Sequence, residues 1–437
     1  MSASESLNLT NESKYRALVL AALGGVLENY DFIVFALFAR VIGQLFFPPQ
    51  MPEWLAITQT FGIFAAGNLA RPLGGLVLAH YGDLLGRKRT FVFSMMLMSA
   101  ATLGIACAPT YATIGSVAPI ILLTMRIIQG VAMGGELPGA WTFVAEQVAA
   151  HRVGFACSVL SGALSMGNLL AAVAGVTLTR FYKPAEILAF GWRLPFFAGA
   201  IIAIIAAYVR RSLVETPVFR ALQREGKLAT ELPLRIVLRR HLRGVVASAA
   251  LTSLSAVTIV VMFVMTPTLL QTNYSIGISK SFQAVSLATA CLGVSCICCG
   301  LLANILGVDL LLIGGTPVLA ACVYIFFTQL AQHPDKLFAL YALASTSVGV
   351  IAGIPSMFVQ SFPPAVRYTG VAFSYNVAYA VFSGTTPPLI ALVLRVDPLA
   401  HAHAVMLACA VVFVIAAARL INSRTSSFVP ARSNDSP

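Results

Sequence analysis

The stretch Gly75-Leu-Val-Leu-Ala-His80-Tyr-Gly82-Asp83-Leu-Leu-Gly86-Arg87-Lys88-Arg89 decides how the chain is laid out. An apolar run ends near His80, a Gly-Asp turn follows, and Gly86 with three cations precedes the next apolar run. Cations packed between two hydrophobic runs read as a short cytoplasmic loop between two transmembrane helices. The simplest reading is a charge cluster that only sets topology.

The rest of the composition agrees with lipid as the solvent. The chain has 437 residues, 58% hydrophobic and 10% charged, with mean hydropathy +0.87. A soluble domain carries about 25% charged residues, so too few are present here to cover a water-facing surface. Residues 1–13 are polar, with no small-residue cleavage site early in the first apolar run, so a retained anchor is expected rather than a cleaved signal peptide. The net charge of +12 is accounted for by basic cytoplasmic loops and requires no nucleic acid. All eight cysteines fall in apolar runs, which argues for packing rather than disulfides. Cys296, Cys298 and Cys299 cluster without the His or second Cys pair that a metal set needs.

A helix needs about 20 apolar residues to cross the hydrocarbon core. Twelve such segments are predicted, near 17–46, 56–80, 90–109, 116–145, 153–179, 190–211, 244–270, 282–304, 308–330, 336–361, 367–394 and 402–421. The expected organisation is a tail at 1–16, a six-helix bundle over 17–211, a basic linker over 212–243, a second six-helix bundle over 244–421 and a tail at 422–437. With both termini in the cytoplasm, nineteen Lys and Arg residues face that side and five face the other. That imbalance sets the orientation. A faint repeat joins the halves. Gly300-Leu-Leu-Ala-Asn304-Ile-Leu-Gly307 occupies, after the eighth segment, the place of Ala79–Gly86 after the second. Asn304 and Val308 replace the charges of the first copy. Small residues at four-residue spacing mark segment 2 (Gly62, Ala66, Ala70, Gly74), segment 5 (Ala163, Gly167, Ala171, Gly175) and segment 11 (Ala372, Asn376, Ala380, Gly384). Such stripes serve close packing or a sliding interface.

Ionisable residues at membrane depth are costly and are functional candidates by default. Glu28, Asp31, Arg71, Arg126 and Glu136 qualify. Glu28 and Asp31, three apart, share a face of segment 1. At 1.5 Å per residue, Asp31 lies about 20 Å from the cytoplasmic end and Arg126 about 15 Å from the outer end. Those depths overlap, so the two are expected to pair, either for coupling or as a packing device. Glu28, Asp31 and Glu136 all remain candidates to carry a proton.

These residues also carry a resemblance. The opening loop resembles G-x-x-x-D-(R/K)-x-G-R-(K/R) of the major facilitator superfamily, with Asp83, Gly86, Arg87 and Lys88 matching and Ala79 and Leu84 departing. Glu28-Asn29-Tyr30-Asp31-Phe32 is similar to the E-W-Y-D-F of that superfamily's metabolite–proton symporters. Arg71-Pro72-Leu73-Gly74-Gly75, Arg126-Ile-Ile-Gln129-Gly130, Gly134-Gly135-Glu136, Gly191-Trp192-Arg193-Leu194-Pro195-Phe196 and Phe362-Pro363-Pro364-Ala365-Val366-Arg367-Tyr368-Thr369-Gly370 follow in the group's order.

The resemblance implies an all-α polytopic membrane protein, with twelve transmembrane helices in two six-helix bundles. It implies a proton-coupled importer of a small organic acid, a di- or tricarboxylate such as citrate, in the bacterial inner membrane with both termini cytoplasmic. Proline, betaine or shikimate uptake is the alternative. A drug–proton antiporter or a non-transporting receptor is the alternative of another class. Its partners would be an anionic solute, protons and the bilayer, with no nucleic acid, and it would work as a monomer. It would need no cofactor beyond the proton gradient, and would be no enzyme: the chain has neither a phosphate-binding Gly-rich loop ending in Lys-Ser or Lys-Thr nor an H-E-x-x-H. Proton coupling is expected at Asp31, Arg126, Glu28 and Glu136. Substrate is expected at Arg126, Arg71, Tyr30, Gln129, Asn168, Asn376 and Tyr379, with Asn273 a further wall candidate. The cytoplasmic gate is expected at Gly82, Asp83, Gly86, Arg87, Lys88 and Arg367.

Overall fold

The computed structural model describes residues 25–26, 29–31, 33–210, 217–225, 232–272, 274–394 and 396–428. Glu28, Asn273, residues 1–24 and 429–437, and residues 212–216 and 226–231 of the linker lie outside them, as does the side chain of Arg87.

Among the described residues each of the twelve expected segments is helical, the first from residue 29 on. They are α1 (29–46), α2 (Glu53–Leu85), α3 (Arg87–Cys107), α4 (Val117–Gln147), α5 (Val153–Phe181), α6 (Arg193–Arg210), α7 (242–272), α8 (Ile278–Leu306), α9 (Val308–Gln332), α10 (337–360), α11 (Arg367–Val393) and α12 (Ala400–Phe428). Among the described residues, nine helices are long and apolar enough to cross a membrane unaided. Two bent pairs raise that to eleven. One is α1, bent by 64° between Leu37 and Ala39; the other is α6 with Pro184–Gly191 before it, bent by 44°.

One face of α2 shows what the solvent must be. Leu69, Leu73, Val77, Tyr81 and Leu85 follow one another at four-residue spacing and are all exposed. An apolar stripe that long has no place in water. The opposite face of α2 is built on glycine. A Cβ on Gly130 would lie 1.9 Å from the Gly67 carbonyl oxygen, one on Gly74 would lie 1.8 Å from that of Val131, and one on Gly134 would lie 2.1 Å from that of Arg71. The backbones of α2 and α4 therefore touch, which is what small residues permit between membrane helices. The stripes expected from sequence are right in part. Gly74 and Gly167 sit in tight contacts, but Gly62, Gly175 and Gly384 face open space.

The Gly-Asp turn expected at 82–83 is absent. Helix α2 runs on to Leu85 and breaks at Gly86, whose φ of 108° is costly for any residue with a Cβ. Gly307 repeats the device 221 residues later, with φ 81° between α8 and α9. The internal repeat is thus a repeat of backbone as well as of letters.

Two helices are irregular at mid-length. In α7, Val260–Met265 forms a wider π turn, and the Thr266 hydroxyl donates to the Val261 carbonyl at 2.7 Å. Pro267 has no N–H to offer the carbonyl four residues back, which loosens the ladder there. In α10, Gly349–Gly353 tightens to a 3-10 turn just before Pro355. The linker, expected as a polar loop, contains two short helices, Pro217–Arg224 and Pro233–Arg240.

The halves α1–α6 and α7–α12 meet through α2 with α11 and α5 with α8. At the end marked by the 82–89 loop, the second part of α10 also reaches α4 and α5.

Candidate substrate site and gate

Between the halves lies a cavity with about 950 Å³ of non-atom space, part of it open to solvent. Its wall includes Asn29, Arg71, Trp141, Asn168, Phe358 and Tyr379. Among the described residues, Arg71 is the only charged side chain in that wall. It is 3% exposed. Its guanidinium carbon lies 4.8 Å from the Tyr379 ring centroid and 5.6 Å from that of Tyr375. Its Nε and Nη2 have no hydrogen-bond partner. The α2–α4 backbone contact described above fixes this residue's main chain. A buried guanidinium held by rings and short of acceptors is a ready partner for an anion.

A second polar group lies behind the wall, inside the first half. The Thr102 hydroxyl donates to Asp31 Oδ2 at 2.6 Å. Gln129 Nε2 donates to Thr102 Oγ1 at 2.8 Å, and Arg126 Nη1 donates to Gln129 Oε1 at 2.8 Å. All four side chains are buried to within 2%. Arg126 also sits over the Phe35 ring at 4.3 Å and the Phe64 ring at 5.1 Å. Asp31 Oδ1 has no partner, and a Cβ on Gly199 of α6 would approach it to 2.1 Å.

Asp31 and Arg126, expected to pair, are connected through Thr102 and Gln129. Of the substrate candidates, Arg71, Asn168 and Tyr379 line the cavity. Arg126 and Gln129 belong to the polar chain behind it. Tyr30 is buried and donates to the Pro195 carbonyl at 3.0 Å. Asn376 is buried at the joint between halves, donating to the Gly134 carbonyl at 2.7 Å. Glu136 is buried on α4, also away from the cavity wall. Glu28 and Asn273 lie outside the described residues. Thr102 and Tyr375 went unnoticed in the sequence. A threonine in an apolar helix more often bonds its own backbone, and nothing in the letters separates Thr102 from those. Tyr375 could have been found, one turn before Tyr379.

At the 82–89 end the halves are tied together. Asp83 Oδ2 accepts from the Thr369 backbone N–H at 3.0 Å and from its hydroxyl at 2.8 Å. Arg367 Nη1 pairs with Glu146 Oε1 at 3.0 Å. The Tyr368 hydroxyl donates to the Gly135 carbonyl at 2.5 Å, its ring lying where a Cβ on Gly82 or Gly139 would clash. Of the expected gate residues, Gly82, Asp83 and Arg367 take part directly. Gly86 forms the helix break, and Lys88 is half-buried beside it on α3. Glu146 was not foreseen; it ends α4 in a stretch that reads as ordinary helix. Asn304, in the second copy of the loop, is exposed. Among the described residues no group of three or more His, Cys, Asp or Glu could hold a metal.

Two helical bundles around a cavity, joined at one end by contacts between bundles, are the architecture of a membrane carrier. The Major Facilitator Superfamily model matches residues 33–387, and the chain belongs to that superfamily. It is 31% identical over 375 residues to a citrate-proton symporter of Klebsiella pneumoniae, covering 85% of this chain and 83% of that one. It is 32% identical over 382 residues to an alpha-ketoglutarate permease of Escherichia coli, covering 84% and 85%. Among solved structures, the proton:xylose symporter XylE bound to 6-bromo-6-deoxy-D-glucose superposes with a TM-score of 0.78 at 18% identity, covering 97% of both chains.

Proposed function

We propose that the chain imports a small organic anion together with protons across the bacterial inner membrane, as a monomer of the metabolite–proton symporter group. In this reading the 82–89 loop and both termini face the cytoplasm, and the gate drawn above is the cytoplasmic gate in its closed state. The observation that carries the reading is the pairing of two separate sites. Arg71, short of acceptors, faces the cavity, while Asp31 is a buried carboxylate one wall behind it. Anion and proton then have different seats, as coupling requires. Two of the relatives are named for organic acids, citrate and alpha-ketoglutarate, which supports an organic acid as cargo, while others at 30% identity are named as putative proline/betaine transporters.

Asp31 carries the proton. Ionised, it accepts from Thr102 at Oδ2; a proton taken up on that oxygen would make it a donor and turn the hydroxyl of Thr102. That turn passes to Gln129 and Arg126, which hold α3 and α4 together beside the α2–α4 contact that fixes Arg71. Occupancy at Arg71 and protonation at Asp31 are thereby linked through α4 and the two helices it packs on, α2 and α3, without contact between the ligands. Each net charge moved down the membrane potential yields roughly 2.3 kcal/mol per 100 mV.

The test is uptake of labelled organic acids into proteoliposomes under an imposed pH gradient. Accumulation that collapses with a protonophore is expected. Uptake of cationic drugs in exchange for protons, with no response to any organic anion, would refute the reading.

A further inference from the structure

The cavity is chemically lopsided, and the asymmetry bears on which anions fit. The first half contributes the wall's charge and its amides, Arg71, Asn29 and Asn168, with Ser161 and Ser165, beside apolar residues such as Leu137. The second half contributes Ile259, Phe263, Val264, Leu292, Ile351 and Phe358. Its polar contributions are Ser255 on α7, and Tyr375 and Tyr379 on α11, whose rings already stack around Arg71. Trp141 meets Tyr375 edge-on at 4.9 Å and Phe358 at 6.0 Å, so an aromatic corner stands beside the guanidinium. The two arginines expected to clamp a di- or tricarboxylate are not both available to the cavity. Arg126 donates to Gln129 behind the wall.

A carboxylate buried without a counter-charge or donors is strongly disfavoured. One guanidinium can satisfy one carboxylate bidentately. A second carboxylate on the same small ligand would fall against the aliphatic and aromatic wall of α7, α8 and α10, where, among the described residues, nothing cationic meets it. An apolar ring would instead find hydrocarbon and aromatic faces there.

The geometry points to a monocarboxylate with an apolar, ring-sized body as the cargo, its carboxylate on Arg71 and its ring against the second half. This rests on the organic-anion reading above and narrows it.

The test uses the purified full-length protein, in nanodiscs for thermal shift and in proteoliposomes for competition against the uptake of labelled benzoate. Thermal shift and competition against uptake are measured with benzoate, cyclohexanecarboxylate, shikimate, succinate, citrate and glycine betaine as sodium salts or at matched ionic strength. Benzoate and cyclohexanecarboxylate should stabilise and compete, with succinate and citrate at least tenfold weaker. Arg71→Gln should weaken the ring acids by roughly tenfold or more, the scale of losing a charge-assisted bidentate pair. Ile259→Lys, which adds a cation to the apolar wall, should raise the affinity for succinate relative to benzoate. Binding of succinate or citrate in preference to the ring acids overturns this proposal and leaves the organic-anion reading standing. Preference for shikimate over benzoate overturns the apolar body. Response to betaine alone, or to none of these, overturns both. The panel on the unaltered protein decides the matter even if a variant fails to fold.

Discussion

Asp83→Asn probes the gate most sharply, because the change keeps the shape of the side chain and removes its charge. Asp83 is 2% exposed, and its Oδ2 takes two hydrogen bonds from Thr369 at the start of α11. Hydrogen bonds to a charged group contribute about 1.5–3 kcal/mol each and neutral ones about 0.5–1.5. Two bonds losing their charge therefore forfeit about 2–3 kcal/mol. The favourable meeting of an anion with a helix N-terminus, about 0.3–1 kcal/mol, goes as well. Both bonds run from one bundle to the other, so they exist only while this end is closed. The loss falls on the ratio of two conformations and not on both alike. Together these come to about 2.3–4 kcal/mol, and at about 1.4 kcal/mol per decade the closed state should lose roughly 40- to 700-fold in relative population.

Spin labels at the exposed positions Leu85 and Leu306, one in each half, report that population by pulsed-resonance distances. Asp83→Asn should transfer weight to the longer distance and cut net uptake. Asn304→Ala, at the matching but exposed position of the second half, should change neither. An unchanged distance distribution in Asp83→Asn, or an equal loss in Asn304→Ala, would refute the reasoning.

Further outcomes follow from the same contacts. Asp31→Asn vesicles should still exchange labelled for unlabelled substrate yet fail to concentrate it under a pH gradient; if they concentrate it, Glu28 or Glu136 inherits the role. Gly134→Ala places a methyl 2.1 Å from the Arg71 carbonyl and should lower the melting temperature steeply, whereas Gly62→Ala, facing open space, should leave it within a degree or two. A double-mutant cycle on Arg367→Gln and Glu146→Gln should give a coupling of about 1 kcal/mol or more in thermal stability, since Glu146 is nearly buried; additivity of the two changes would remove this pair from the gate. At the other end, His403 and the Leu399 amide donate to Asp397 and hold its carboxyl below the usual range. The folded value is the depressed one, so this contribution is complete above about pH 4, the ordinary aspartate value, and is lost as pH falls through the depressed one. The melting-temperature gap between the unaltered protein and Asp397→Asn should therefore close in strong acid, and a gap constant with pH would count against the pairing.

What the letters disclosed, and what they withheld, divides along a physical line. Apolar length is a local property, and all twelve helices could be placed from it. That two helices part near the charge cluster was legible for the same reason, but the place was not: the turn was expected at Gly82-Asp83 and the break falls at Gly86. The departures begin where a residue's meaning depends on which way its helix is turned. Arg71 and Arg126 look alike in sequence, each a lone cation in an apolar run. In the fold one faces the cavity between the halves, and the other faces Gln129 and two phenylalanine rings within its own bundle. Rotation of α4 about its axis makes that difference, and α4 is turned by its glycines: Gly130 and Gly134 must face α2, because a side chain at either would strike backbone there. Arg126 is four residues before Gly130, so it shares the face that packs on α2, while the cavity is met by Met133, Leu137 and Trp141. The glycines that let the helices touch thus also decide which arginine a substrate can reach. The reasoning can be run the other way: in any chain of this plan with a bulky residue at position 130 or 134, α4 must turn, and the polar chain from Arg126 to Asp31 cannot form as it does here.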